Sequence, residues 1–182
     1  MPRLQPEIKE RIRQLSHDEL LEIVLKLSAK EKSIYEFVVV NYLEGPEAEL
    51  ELYDDVIDDL EMEFTKRRKG YAEQMKMYHM MVACIKRINE FVKISKDKTL
   101  EAKLLMHVLE VPFGLSTNMF GTCFSQYDTK VALIVKRLIT LLTKKMHEDY
   151  RVEYQERINE YLTVLHRCAN HIDTVRTLPK SI

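Results

Sequence analysis

Apolar residues recur at intervals of three and four along nearly the whole chain, the spacing that lines up one face of an α-helix. Pro6 suits a first helical turn, where its missing N–H would be unpaired in any case, and 7–15 reads as a short helix. Ser16-His17-Asp18-Glu19 has the capping-box pattern and opens a helix bearing Leu20, Leu21, Val24, Leu25 and Leu27. Ser28-Ala29-Lys30-Glu31 repeats the box and predicts a third helix through Ile34, Phe37, Val38 and Leu43. Val38-Val39-Val40 would suit a strand equally well; the cap and the length of the segment decide for helix. Gly45-Pro46 is a stop and a restart.

A long helix is predicted over 46–69, with Tyr53, Val56, Ile57, Leu60 and Phe64 on its inner face. Gly70 breaks it. The next helix, 71–94, turns Tyr78, Met81, Val82, Ile85, Ile88 and Val92 inward, with Met75 and Met77 beside them. Lys96-Asp97-Lys98 is a polar turn, and Leu100, Leu104, Leu105 and Val108 mark a helix ending before Pro112. Residues 112–127 form the one long irregular stretch, with room for a short helical turn. Ser125-Gln126-Tyr127-Asp128 reads as the cap of a helix over 126–147, which is apolar nearly all round at 131–135 and therefore belongs at the centre of the fold. At about 100° per residue the stripe through Leu142 has turned roughly 120° by Tyr154, so a turn is placed at 147–151. The last helix buries Tyr154, Ile158, Tyr161, Leu162, Leu165, Cys168, Ala169, Ile172 and Val175.

The reading is all-α: about eight helices as antiparallel pairs, forming either an irregular bundle or a short α-α superhelix, in one domain over 1–178 with a frayed tail at 179–182. Composition agrees. Only 4 of 182 residues are glycine, too few for the tight turns of a sheet-rich fold, and 46% are hydrophobic, enough for a core. Three cysteines at 84, 123 and 168 are an odd number at wide spacing, which speaks against a disulfide framework. The first seven residues carry no apolar secretory core, and no run approaches the ~20 apolar residues of a membrane span. A soluble, cytoplasmic protein without membrane attachment is expected.

The pattern Leu15-Ser16-His17-Asp18-Glu19-Leu20-Leu21-Glu22-Ile23-Val24, followed by a second short helix, resembles the start of an uncharacterised family of small all-helical bacterial proteins; related patterns also open some helical-repeat proteins. The resemblance covers about the first quarter of the chain. The family has no assigned activity, so it transfers no functional residues.

Several chemistries lack their motifs. There is no Gly-x-Gly-x-x-Gly, no Gly-x4-Gly-Lys-Ser/Thr, no Cys-x-x-Cys, no His-Glu-x-x-His and no Gly-x-Ser-x-Gly. None of the six histidines has an acid three residues before it, as a di-iron bundle requires. His166 and His171 lie five apart, about 140° around a helix, and so point away from a shared metal; His79 and Cys84 have the same spacing. No cofactor, metal or catalytic residue is expected, and Cys123 reads as a buried structural cysteine.

Two features are uneven. The irregular stretch concentrates Phe113, Leu115, Met119, Phe120 and Phe124, either a partner surface or a plug for the open end of a bundle. Charge is segregated as well: 44–63 holds ten acids and no base, and Lys66-Arg67-Arg68-Lys69 follows directly. Residues 1–43 carry seven charges of each sign, leaving 21 bases and 12 acids in 64–182. The cluster Lys66, Arg67, Arg68 and Lys69, with Tyr71 and Tyr78 nearby, is a candidate phosphate-contacting patch. Acids early and bases late also complement a helix dipole, and a pI of about 6.6 is low for a dedicated nucleic-acid binder. The leading expectation is a non-enzymatic helical scaffold that acts through a protein partner or as a homo-oligomer. A nucleic-acid-binding accessory protein is the alternative.

Overall fold

The computed structural model describes residues 4–182; the leading Met1-Pro2-Arg3, part of the segment read as lacking a secretory pattern, lies outside them. The described residues form nine α-helices and no strand, so the chain is all-α as its periodicity requires. Where the sequence suggested one domain over 1–178, contacts divide the chain into two compact units, Met1–Glu49 and Leu50–Ile182.

The first unit holds α1 (Pro6–Arg13), α2 (His17–Lys30) and α3 (Lys32–Val38), followed by a wider π-type turn, Val39–Leu43. Pro6 occupies the first turn of α1, and Ser16 closes the expected capping box on α2. The second predicted box does not form. α2 runs on through Ser28 to Lys30, and Glu31 precedes α3 without a side-chain cap. Apolar periodicity continues through Ser28, and a helix already under way keeps its hydrogen bonds in preference to restarting. Gly45, at φ 67°, makes the stop before α4 (Pro46–Thr65), whose first residues belong to this unit.

In the second unit the remainder of α4 is followed by α5 (Glu73–Ile94), α6 (Lys98–Gly114), a single 3-10 turn at Thr117–Met119, α7 (Ser125–Lys144), α8 (Glu148–Cys168) and α9 (Asp173–Arg176). α7 touches α5, α6, α8 and α9. A superhelix would confine each helix to its neighbours in the stack; here one helix is shared by four, which makes the unit a bundle around α7. Val131, Ala132, Val135 and Leu138 of α7 are wholly buried, and Leu133, inside the apolar run, is the one that faces out.

The differences from expectation have local causes. α4 ends at Thr65, not 69, because Arg68 folds back and donates to the Glu63 carbonyl oxygen at 3.1 Å, closing the helix end. In α5 the covered stripe is Met81, Cys84, Ile88 and Phe91, and Val82, expected inside, is 38% exposed. α6 passes through Pro112 to Gly114; the proline sits in the last turn, where few further hydrogen bonds are lost. α7 begins after Phe124 with no side-chain cap, and Asp128 turns inward instead. The break before α8 falls at 145–147, and the expected final helix is split at 169–172, which accounts for the ninth helix. Cys168 is half-buried, whereas the other residues named for the inner face are buried. The tail at 179–182 is held rather than frayed: the Ile182 N–H donates to Asn159 Oδ1 at 2.9 Å, and Gln155 Nε2 donates to the Ile182 carbonyl at 2.6 Å.

Gly121 (φ 71°) lies so close to α8 that a Cβ there would meet the Cys168 carbonyl oxygen at 2.2 Å, whereas Gly70 (φ 81°) has open space around it. Gly70→Ala should therefore cost about 1–2 kcal/mol, the strain of a left-handed residue carrying a Cβ. Gly121→Ala should cost clearly more, because a backbone carbonyl also has to move. Urea unfolding of the two variants checks this; equal midpoints would contradict the close approach.

Candidate functional site

Each sequence-predicted site begins from its local structure. The apolar stretch after α6 turns largely inward. Phe113 stacks on Tyr161 with ring centroids 4.0 Å apart, and on Phe120 at 5.4 Å; Phe120 in turn meets Tyr127 at 5.3 Å. Phe120 is only 6% exposed, Met119 and Phe124 are half-buried, and Leu115 alone of the five is exposed, at 44%. Stacked aromatic rings tie this stretch to α7 and α8, and Gly121 lets its backbone close on the end of α8. It fills the interior and offers little surface. Cys123, expected to be buried, is exposed; Cys84 is the buried thiol, and burial pushes its pKa up to about 12, which leaves it unreactive.

The basic cluster is partly spent. Lys66 Nζ lies 2.9 Å from Glu63 Oε1, and Arg68 pairs with the other oxygen of the same carboxylate. Those contacts hold the Glu63 pKa below the ordinary carboxylate range. Arg67 and Lys69 are exposed and pair with no acid among the described residues.

Three polar groupings lie within 50–182, and no motif marks them because their members come from different elements of the fold. Arg137 of α7 donates through Nε (3.0 Å) and Nη2 (2.8 Å) to Glu101 of α6, and through Nη1 (2.7 Å) to Asn89 of α5. Lys98 Nζ reaches the second Glu101 oxygen at 2.9 Å. Burial alone would raise the Glu101 pKa; the Lys98 and Arg137 hydrogen bonds and charges outweigh it, and the net direction is down. Glu61, His107, Glu110 and Arg157 form a chain linking α4, α6 and α8, with Glu61 Oε1 to His107 Nε2 at 2.8 Å and Arg157 Nη2 to Glu110 Oε1 at 2.7 Å. Asp128, fully buried, accepts from the Gly121 N–H at 3.1 Å through one oxygen only, and its pKa is raised by burial. The first two groupings join helices and the third ties α7 to the loop before it, and among the described residues no set of three or more His, Cys, Asp or Glu is placed to hold a metal ion.

The uncovered surface lies in the first unit. α1, α2 and α3 bury none of their residues. α2 is well formed nonetheless: Ser16 Oγ accepts from the Glu19 N–H at 3.3 Å, and Glu19 Oε2 accepts from the Ser16 N–H at 2.8 Å. Around its axis Leu20, Leu21, Ile23, Val24, Leu25 and Leu27 sweep an apolar arc of roughly 200°, with the charged residues on the remainder. Of these, Leu25 is 62% exposed, Leu20 is half-buried and the others are exposed. α1 adds Ile8 and Ile12, one turn apart and both exposed, and Leu4 just before the helix is exposed as well. Tyr42, in the π-type turn, is 74% exposed. The periodicity of α2 is visible in the sequence, but a covered stripe and a bare one have the same spacing.

No protein family, curated protein or solved structure matches this chain. No helix among the described residues is long and apolar enough to cross a membrane.

The two buried carboxylates should respond to pH in opposite senses. The Glu101 pKa is lowered by folding, so its pairing stabilises the fold above the ordinary carboxyl range and is lost on acidification. Glu101→Gln should cost about 1–3 kcal/mol at neutral pH by leaving part of the Arg137 fork unpaired, and less at about pH 3. The Asp128 pKa is raised, so the favourable state is present in acid and lost as pH rises. Asp128→Asn should therefore gain on the wild type between about pH 3 and neutral. Urea midpoints at both pH values check this; pH profiles parallel to wild type would contradict both assignments.

Proposed function

We propose that this protein is a non-enzymatic helical scaffold that acts by protein–protein contact, with α1 and α2 as its docking element. The observation that carries the reading is the apolar arc of α2, capped and helical yet without a buried residue. Monomeric proteins rarely leave contiguous apolar patches beyond a few hundred Å² uncovered, and larger ones mark interaction sites. An amphipathic helix presenting apolar residues at i, i+3, i+4 and i+7 is also a recurring recognition element for a partner's groove. The stretch from Phe113 to Phe124 contributes less, since its rings pack inside and Leu115 is left as the exposed apolar residue. Nucleic-acid binding through Lys66–Lys69 has weaker support, because Glu63 already pairs with two of the four cations.

The double substitution Leu21→Ser with Val24→Ser tests the reading. Both side chains are exposed, so the circular dichroism and unfolding midpoint should stay within about 0.5 kcal/mol of wild type. A partner cross-linked to the wild type should be lost. If the partner survives this pair of changes and is lost with Leu115→Ser, docking belongs to the 115–124 stretch instead.

A further inference from the structure

Beyond the docking reading of α1 and α2, we infer that residues 50–182 carry a track for single-stranded nucleic acid along the outward face of α7, with Tyr71 and Tyr78 as its base-stacking platforms. The track lies within the second unit and stands whether or not the first unit docks a protein. Its charge has one sign. The one acid of α7, Asp128, is fully buried, and its cations are Lys130, Lys136, Arg137 and Lys144, with Lys145 directly after the helix. At about 100° per residue the four cations of the helix share an arc of roughly 120° with Leu133 and Thr140, and from Lys130 to Lys145 the stripe runs ~22 Å. The acids that bring the net charge to −1 are concentrated elsewhere: 44–63 holds ten, and Asp59 and Glu61 of α4 reach Arg87 of α5 and His107 of α6. The chain's pI of about 6.6 is therefore no guide to this face.

Two cavities, of about 320 and 330 Å³, lie along the stripe and share Leu133 as a wall. The first brings Tyr78 of α5 beside Lys130, with Gln126 and Thr129 as neutral hydrogen-bonding groups. The second holds Lys136, Arg137 and Lys145; its Glu101 is already held by Arg137 and Lys98 and does not neutralise the other lysines. Lys130 is half-buried and pairs with no acid among the described residues, and burial together with the charge of Arg137 lowers its pKa. A covered cation beside another cation is unfavourable until an anion arrives. Lys136 donates to Thr177 Oγ1 at 3.2 Å and keeps two further N–H donors for a ligand.

The rings extend the track toward the turn between α4 and α5. The Tyr71 ring centroid lies 4.9 Å from that of His79, and His79 lies 5.3 Å from Tyr78. Tyr71 is 52% exposed, and the exposed Arg67 and Lys69 precede it. Cations interleaved with accessible rings suit a single strand, whose unstacked bases lie on the rings while its phosphates meet the cations. A duplex hides those base faces, and inorganic phosphate would use the cations alone.

The test is fluorescence anisotropy of the full chain with labelled oligo(U) and oligo(dU) of about 15 nucleotides, between about 50 and 200 mM salt. The wild type should bind at micromolar concentration. Its slope of log K against log salt should be about −3.5, from Arg67, Lys69, Lys130, Lys136 and Lys145 at about −0.7 each. The tighter of the two strands identifies RNA or DNA, since they differ only in the 2′-hydroxyl. Lys130→Gln with Lys145→Gln should flatten the slope by about 1.4 and leave the circular dichroism unchanged. Tyr71→Ala should weaken binding at least about fivefold without changing the slope, because stacking releases no counterions. No binding at the lower salt, equal affinity for a duplex of the same length, or binding displaced by tripolyphosphate and indifferent to Tyr71→Ala would each overturn the inference. None of these variants alters α1 or α2, so each outcome leaves the docking reading to its own test.

Discussion

A helix that is apolar around most of its circumference is stable in water only if other chain segments cover nearly every side of it, and α7 imposes that demand on residues 50–182. Ten of its residues are buried, and only a narrow stripe through Leu133, Lys136 and Thr140 faces outward. Each fully buried aliphatic side chain contributes on the order of 1.5–3 kcal/mol, so leaving one flank of α7 open would forfeit several such terms. Four helices packed on one is the arrangement that avoids the loss. The short connections, 95–97 between α5 and α6 and 145–147 between α7 and α8, bring those neighbours into place.

The polar chemistry of the bundle follows from the same demand. Helices that press on a common centre bring a few charged side chains under cover, and these survive where partners from other helices reach them. Glu101 keeps its charge because Arg137 and Lys98 converge on it; Asp128, with only the Gly121 N–H, is pushed toward its neutral form. The aromatic residues at and beyond the end of α6 obey the same logic. Phe113 in the last turn of α6 and Phe120 beyond it find cover against Tyr161 and Tyr127, so the irregular stretch after α6 still contributes to the interior.

The first unit is the reverse case. α1 and α2 have the charged ends and the apolar stripes of helices built to be covered, α2 a capping box as well, and none of their residues is buried. The capping box and the Glu22–Lys26 pair sustain α2 locally. Isolated helices of this length are marginal in water, so a surface that covers the stripe also stabilises the helix itself.

Much of this was legible along the chain. Helical class, the Ser16 cap, the stop at Gly45, the central placement of α7 and a break before α8 all follow from spacing, turn residues and phase, which act within a few residues of one another. Other features were not. The buried stripe of α5 lies slightly around the helix from the predicted one, and Asp128 and Glu101 found partners seven and 36 residues away. Most telling, the stripes of α2 and α5 look alike in sequence, yet one is bare and the other is core. Periodicity records that a face is apolar. Whether that face is covered depends on which distant segment comes to lie against it, and only the tertiary structure decides that.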